Sequence, residues 1–167
     1  MTPTNMAASV HARLLNRSRA EARLFNELLQ YYAMERFLFR LSQSPHAQGF
    51  VLKGALMLQF WGGERARSTK DIDLLGRQER TVEQLSEVVR ECLRTPVPDD
   101  GMRFDPDSVV GQEIRLAAHY TGGRIRCDGR LGNARVRLPV ATRSGAGTAP
   151  RHDAGDRHRR EVPRDGP

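Results

Sequence analysis

Apolar positions recur at helical spacing through the first third of the chain. Leu24, Phe25, Leu28, Leu29, Tyr32, Phe37, Leu38 and Leu41 cover one wide face. Ser18 with Glu21 three residues on has capping-box spacing, so one helix of about 25 residues is expected to start at Ser18. Pro45, within the Ser42–Gly49 stretch, ends it, and residues 1–17 read as a flexible or loosely helical lead-in. Phe50-Val51-Leu52 is a short apolar run, a buried strand, followed by a glycine and a helical run from Ala55 to Trp61. After a polar loop over 62–70, Asp71-Ile72-Asp73-Leu74-Leu75 predicts a strand with both carboxylates on one face and Ile72 and Leu74 on the other. Residues 81–94 predict an amphipathic helix with Val82, Leu85, Val88, Val89 and Leu93 inward.

The period changes to two from about Gln112. Strands over 112–121 and 124–128 are expected to join at Gly122-Gly123. Residues 134–140 alternate cleanly, with Pro139 pointing to an edge or an interrupted end, and a strand left uncovered there is open to aggregation. Pattern is then lost. Residues 141–167 hold no Leu, Ile, Phe, Met, Trp or Tyr but six arginines, four glycines and three prolines, a composition that predicts disorder. The division expected is therefore a lead-in over 1–17, a folded domain over 18–140 and a tail over 141–167.

Composition narrows the class. A chain of 167 residues can bury a core without disulfides, and Cys92 and Cys127 have neither metal nor redox spacing. No apolar run reaches the roughly 18–20 residues of a membrane span, and MTPTNMAAS lacks a signal core, so a cytoplasmic protein without membrane partners is expected. Net charge is +7, with only Lys53 and Lys70 as lysines; this suits a polyanion, and equally suits a solvated, arginine-rich surface. The five histidines lack ligand spacing.

Candidate chemistry lies in Gly54-Ala55 followed by Asp71-x-Asp73. Helix N-termini present free N–H groups to phosphates, and same-face carboxylates suit Mg²⁺ bridging to a nucleotide. An exposed acidic strand end beside an ordinary turn glycine has the same spelling. The chain resembles the nucleotidyltransferase AbiEii/AbiGii toxin family, a branch of the polymerase-beta-like nucleotidyltransferases. The resemblance rests on FNELLQYYAMERFLFRLS (25–42), FVLKGALMLQFWG (50–62) and RSTKDIDLLG (67–76), with a weaker echo through Glu113, Tyr120, Gly122 and LGNARVRL (131–138). It covers about residues 9–140, the N-terminal half of what such proteins usually contain.

The resemblance implies an α+β fold, a mixed sheet flanked by helices, here truncated. It implies Asp71 and Asp73 as the catalytic, Mg²⁺-binding pair, and Gly54 and Ala55 as the phosphate-holding pair, Ala55 standing where serine or glycine is commoner. Lys53 would sit beside the phosphates, with Thr69 and Lys70 shaping or neutralising the nucleotide pocket. The activity implied is transfer of a nucleotidyl group from an NTP to an acceptor such as tRNA, within an abortive-infection or toxin–antitoxin system, with a cognate antitoxin as partner.

The family also carries a third acid shortly after the LGNARVRL-type strand. Here Pro139, Val140, Ala141, Thr142 and Arg143 follow, with Ala141 about where the carboxylate should stand and no acid before Asp153. A shifted reading frame in GC-rich coding DNA would produce such a tail, and so would genuine divergence. The alternatives are thus an inactive fragment that binds nucleotide or antitoxin only, or a basic nucleic-acid-binding module.

Overall fold

The computed structural model describes residues 5–61, 69–117 and 120–144. Two helices, α1 (Met6–Glu21) and α2 (Phe25–Gln43), precede a short 3-10 turn at Ala47–Gly49. Strand β1 (Phe50–Lys53) runs directly into α3 (Gly54–Trp61). There follow β2 (Ile72–Gly76), α4 (Val82–Arg94) and three long strands, β3 (Met102–Ala117), β4 (Tyr120–Leu131) and β5 (Ala134–Ser144).

The strands form one mixed sheet in the order β1-β2-β5-β4-β3. Only β2 and β5 are parallel; β1–β2, β5–β4 and β4–β3 are antiparallel. This is the α+β architecture expected, with helices against one face. Ile72, Ile125, Leu131, Leu138 and Val140 point to that face and pack with Leu29, Met34 and Phe37 of α2, all essentially inaccessible. Helix α4 adds Leu85, Val89, Cys92 and Leu93. Thr81 caps it in a reciprocal capping box with Gln84. The opposite face of the sheet carries Lys53, Asp73 and most of the strand arginines, with Asp71 at its margin.

The first helix differs from expectation. Where a flexible or loosely helical lead-in is expected, the structure has a regular helix over 6–21, because Asn5 caps it by accepting from the Ala8 N–H at 3.0 Å and Val10 is buried in the core. Residues 1–4 lie outside the described residues. Ser18 ends this helix instead of starting the next: Ala22 is left-handed at φ 51, the Arg23 N–H donates to the Ser18 carbonyl, and the Ser18 hydroxyl donates to the Arg23 carbonyl at 2.5 Å. Two helices therefore replace the single one that the apolar spacing suggested.

Strand β3 starts at Met102, ten residues before the alternation becomes visible. The register slips between Asp105 and Val110, around Pro106, and that irregularity hides the period. The glycine pair 122–123 lies within β4, not at the hairpin tip. A Cβ at Gly123 would stand 3.0 Å from the Leu85 side chain, so α4 rests closely on the strand there. Residues 118–119, between β3 and β4, lie outside the described residues. Strand β5 is interior, not an edge, and continues through 141–144, so the pattern does not end at Val140. Pro139 is tolerated because the ladder to β2 begins only at Val140. The rest of the expected tail, 145–167, lies outside the described residues.

Candidate functional site

The β1–α3 junction sets the site. Gly54 has φ +75, a conformation that costs an L side chain strain, and it lets the chain turn from strand into helix within one residue. The same glycine accommodates Asp73: a Cβ at position 54 would lie 3.0 Å from the Asp73 Cγ and 3.1 Å from its Cβ, and closer still to a carboxylate oxygen. Asp73 thus lies directly over the start of α3. Lys53 is its register partner across β1–β2, an opposite-charge cross-strand pair with an exposed lysine.

Alternation along β2 separates the two faces. Ile72 and Leu74 are 0% and 5% exposed, whereas Asp73 is half-buried on the open side and Asp71, one residue before the strand, is also half-buried. A cavity of about 220 Å³ lies against Lys53, Gly54, Asp73, Leu75 and Arg143. Two cations and a carboxylate therefore converge on a helix N-terminus, the composition that a phosphate group with a bridging cation calls for.

The approach to Asp71 is held from α2. The Thr69 N–H donates to the Tyr31 hydroxyl at 3.1 Å, and the Thr69 hydroxyl meets the backbone of Asp71, donating to its carbonyl at 3.2 Å and facing its N–H at 3.4 Å. Gln30 donates from one amide nitrogen to the carbonyls of Lys70 and Arg137, both at 3.2 Å. Thr69 acts here as a turn-forming residue, and Lys70 contributes its carbonyl while its side chain is exposed. Ala55 is half-buried in the first turn of α3. The candidates Lys53, Gly54 and Asp73 thus share one pocket, while Asp71 lies in the bend just before β2, outside that lining, and Thr69 and Lys70 form the lead to it.

The row running through Asp73 is informative on its other side. In the parallel β2–β5 ladder the partner of Asp73 is Ala141, and the partner of Ala141 on β4 is Arg124. The neighbouring position that could place another carboxylate beside Asp73 is therefore alanine. Among the described residues no group of three or more His, Cys, Asp or Glu side chains could hold a metal. Glu113 does not fill the gap: its partner is Gly123, which pairs with Thr142 and so belongs to the helix-covered side.

Arg143, Gln30 and Tyr31 are missing from the sequence-derived set. For Arg143 the signal was present, since the alternation of β5 continues past Val140 with Thr142 buried and Arg143 exposed. Gln30 and Tyr31 act through contacts from a helix some 40 positions away, and no local pattern announces them.

Comparison with known proteins identifies the chain at the family level through one family model. The family described as nucleotidyl transferase AbiEii toxin, type IV TA system, matches residues 36–158, most of the chain. That span takes in β1, α3 and β2 with Gly54, Asp71 and Asp73. No curated protein matches. Among solved structures, JHP933 from Helicobacter pylori is similar at 15% identity and a TM-score of 0.43, over 74% of this chain and 46% of that one. A candidate nucleotidyltransferase from H. pylori is similar at 16% identity and a TM-score of 0.38, over 69% of this chain and 44% of the other. The chain spans less than half the length of either.

Proposed function

The chain belongs to the AbiEii family of nucleotidyl transferase toxins, and from that premise we propose that it binds an NTP at the β1–α3 junction and directs the nucleotidyl group to an acceptor hydroxyl. The backbone N–H groups at Gly54 and Ala55 receive the terminal phosphates, and Lys53 and Arg143 balance their charge. Asp71 and Asp73 are the carboxylates that would hold Mg²⁺. Two carboxylates completed by phosphate oxygens and water are a donor set Mg²⁺ accepts, whereas a cage made by protein alone is not available among the described residues. When bound, Mg²⁺ neutralises phosphate charge and polarises the phosphorus under attack.

The reaction forms one bond from the acceptor hydroxyl oxygen to the α-phosphorus, breaks the bond from that phosphorus to the β-phosphate oxygen to release pyrophosphate, and gives up the hydroxyl proton to water. This chain's residues orient the triphosphate and hold its charge. The acceptor is an RNA hydroxyl, with tRNA the class expected from the family resemblance, and a cognate antitoxin is the partner. Use of an NTP supports a cytoplasmic setting. Among the described residues no helix is long and apolar enough to cross a membrane. The observation that carries this reading is Asp73 packed over a glycine-led helix start with Lys53 and Arg143 beside it.

One observation favours a second reading, binding without transfer: alanine occupies position 141, beside Asp73. No side chain there takes the proton from an acceptor hydroxyl. Incorporation of α-³²P-labelled NTP into total RNA, with and without Mg²⁺, separates the two for the wild type, Asp71→Ala and Ala141→Asp. Transfer requires Mg²⁺ and disappears in Asp71→Ala. A wild type that binds NTP but incorporates nothing, together with gain in Ala141→Asp, establishes the second reading. Incorporation that survives Asp71→Ala removes the carboxylate assignment.

A further inference from the structure

The face of the sheet turned away from the helices carries a dense arginine array that the nucleotide site does not use. Antiparallel partners share a face, so the register itself defines the array. Arg103, Arg130 and Arg135 form one row across β3, β4 and β5. One step along, Asp105, Asp128 and Arg137 form the next, and beyond them come the rows of Arg126 and Arg124. All six arginines are exposed. Against them stand two aspartates, of which Asp128 is already engaged by Arg137 through two bonds at 2.8 and 3.2 Å. Among the described residues Arg103, Arg124, Arg130 and Arg135 form no ion pair within 4 Å.

Rows lie about 6.8 Å apart along a strand and strands about 4.8 Å apart, so the array is about 20 Å long and 10 Å wide. A depression of about 550 Å³ lies at its far end, lined by Arg103, Arg130, Arg135 and Arg137 together with Asp105, Asp128 and an edge of Phe104. Protein partners anchor through apolar or aromatic cores depleted in charge. Among the described residues, the only large apolar side chain strongly exposed along these rows is Val110, at 65%. Phe104 turns instead to the helix side, where the Arg40 guanidinium lies 5.1 Å from its ring centroid. Stacking of unpaired bases needs aromatic platforms, which the described side chains of these rows lack. Repeated guanidinium groups without apolar anchors or stacking rings suit a phosphate backbone of fixed shape.

We infer that the open face of β3, β4 and β5 binds the phosphate backbone of base-paired RNA, without reading its sequence. Arg124 stands two strands from Asp73 in the same row, about 10 Å away. A stem lying on the array therefore has its terminal nucleotide beside the carboxylates; this last step rests on the function proposed above, and the binding itself does not.

Fluorescence anisotropy with a labelled RNA hairpin of arbitrary sequence, in EDTA and without NTP, tests the surface independently of any transfer. Three full-length proteins are compared: the wild type, an Arg103→Gln/Arg130→Gln/Arg135→Gln triple, and an Arg13→Gln/Arg17→Gln/Arg19→Gln triple that removes the same charge from α1. The open-face triple binds at least tenfold more weakly at about 100 mM salt, and its slope of log K against log salt flattens by about 2–3, near 0.9 per lost duplex contact. The α1 triple stays within about twofold of wild type, and a scrambled stem binds as well as the original. Equal losses in both triples reduce the effect to net charge and overturn the proposal. So does wild type that fails to bind the hairpin, or that binds an unpaired strand equally well. Circular dichroism confirms that both triples are folded, as substitutions of exposed side chains leave the core intact.

Discussion

Gly54→Ala probes the coupling of the β1–α3 turn to Asp73, and Gly132→Ala supplies its internal control. Both glycines have positive φ, +75 and +58. At Gly132 an added Cβ meets nothing within 4 Å, so alanine there costs only the backbone strain, about 1–2 kcal/mol. At Gly54 the same methyl also runs into the Asp73 side chain, whose Cγ and Cβ lie 3.0 and 3.1 Å from it. Aspartate is short and cannot swing away without leaving its place over α3, so an overpacking cost of about 1–3 kcal/mol is added. The control loses about 1–2 kcal/mol and Gly54→Ala about 2–5 kcal/mol. At about 2–4 °C per kcal/mol for a chain of this size, thermal unfolding resolves the difference. Urea titration gives the free energies, and calorimetry with Mg²⁺ and NTP gives the functional half. Gly54→Ala loses binding at least tenfold while Gly132→Ala stays within about twofold. If the two variants are equally stable and bind nucleotide equally well, the close packing of Asp73 on Gly54 has no functional weight and the reasoning fails.

Three further outcomes follow from the same packing. Arg40 is buried in α2, donates to both carboxylate oxygens of Asp100 at 2.8 and 3.2 Å, and reaches the Met102 carbonyl at 3.1 Å; Asp100→Ala strands that charge and costs about 3–5 kcal/mol by urea denaturation. Burial raises the Cys92 thiol and pushes that of Cys127 up to about 12, so neither reacts with a disulfide reagent at pH 8 until denaturant is added, whereas rapid labelling of the native protein contradicts their burial. The Arg137 guanidinium hydrogen-bonded to Asp128 holds its carboxyl below the usual range. Its stabilising effect is complete above the unfolded value and is lost as pH falls through the lower folded value, so stability declines below about pH 4. The decline is smaller for Asp128→Asn, and because the pair is exposed the difference between the two proteins shrinks in high salt.

What was legible in the sequence followed from period and from spelling. The alternation of Ile72 and Leu74 around Asp73 located β2, and the helical spacing of Val82, Leu85, Val89 and Leu93 located α4. The glycine between an apolar triplet and a helical run located the junction now seen at Gly54. Failures came where a distant contact outranked the local signal. Asn5 and Val10 tie α1 to the cap and the core, so a segment that looked loose is a helix. Ser18 has the spacing of an N-cap, yet its hydroxyl and carbonyl close the preceding helix at Ala22. The usual link between proline and edge strands misplaced β5, because Pro139 falls just before the ladder to β2 rather than within it. The register then revealed what one-dimensional spacing could only approximate: Ala141 is the partner of Asp73, and Arg143 faces the same pocket.

We propose that Asp73, seated over Gly54, and Asp71 together form a metal-dependent nucleotide site. The most direct measurement is calorimetric titration of NTP into wild type and Asp73→Asn, each with Mg²⁺ and with EDTA. Mg²⁺-dependent binding to the wild type, weakened at least tenfold in Asp73→Asn while both proteins unfold at similar temperatures, is the result predicted. Binding of equal strength in the two proteins, or binding indifferent to Mg²⁺, contradicts it.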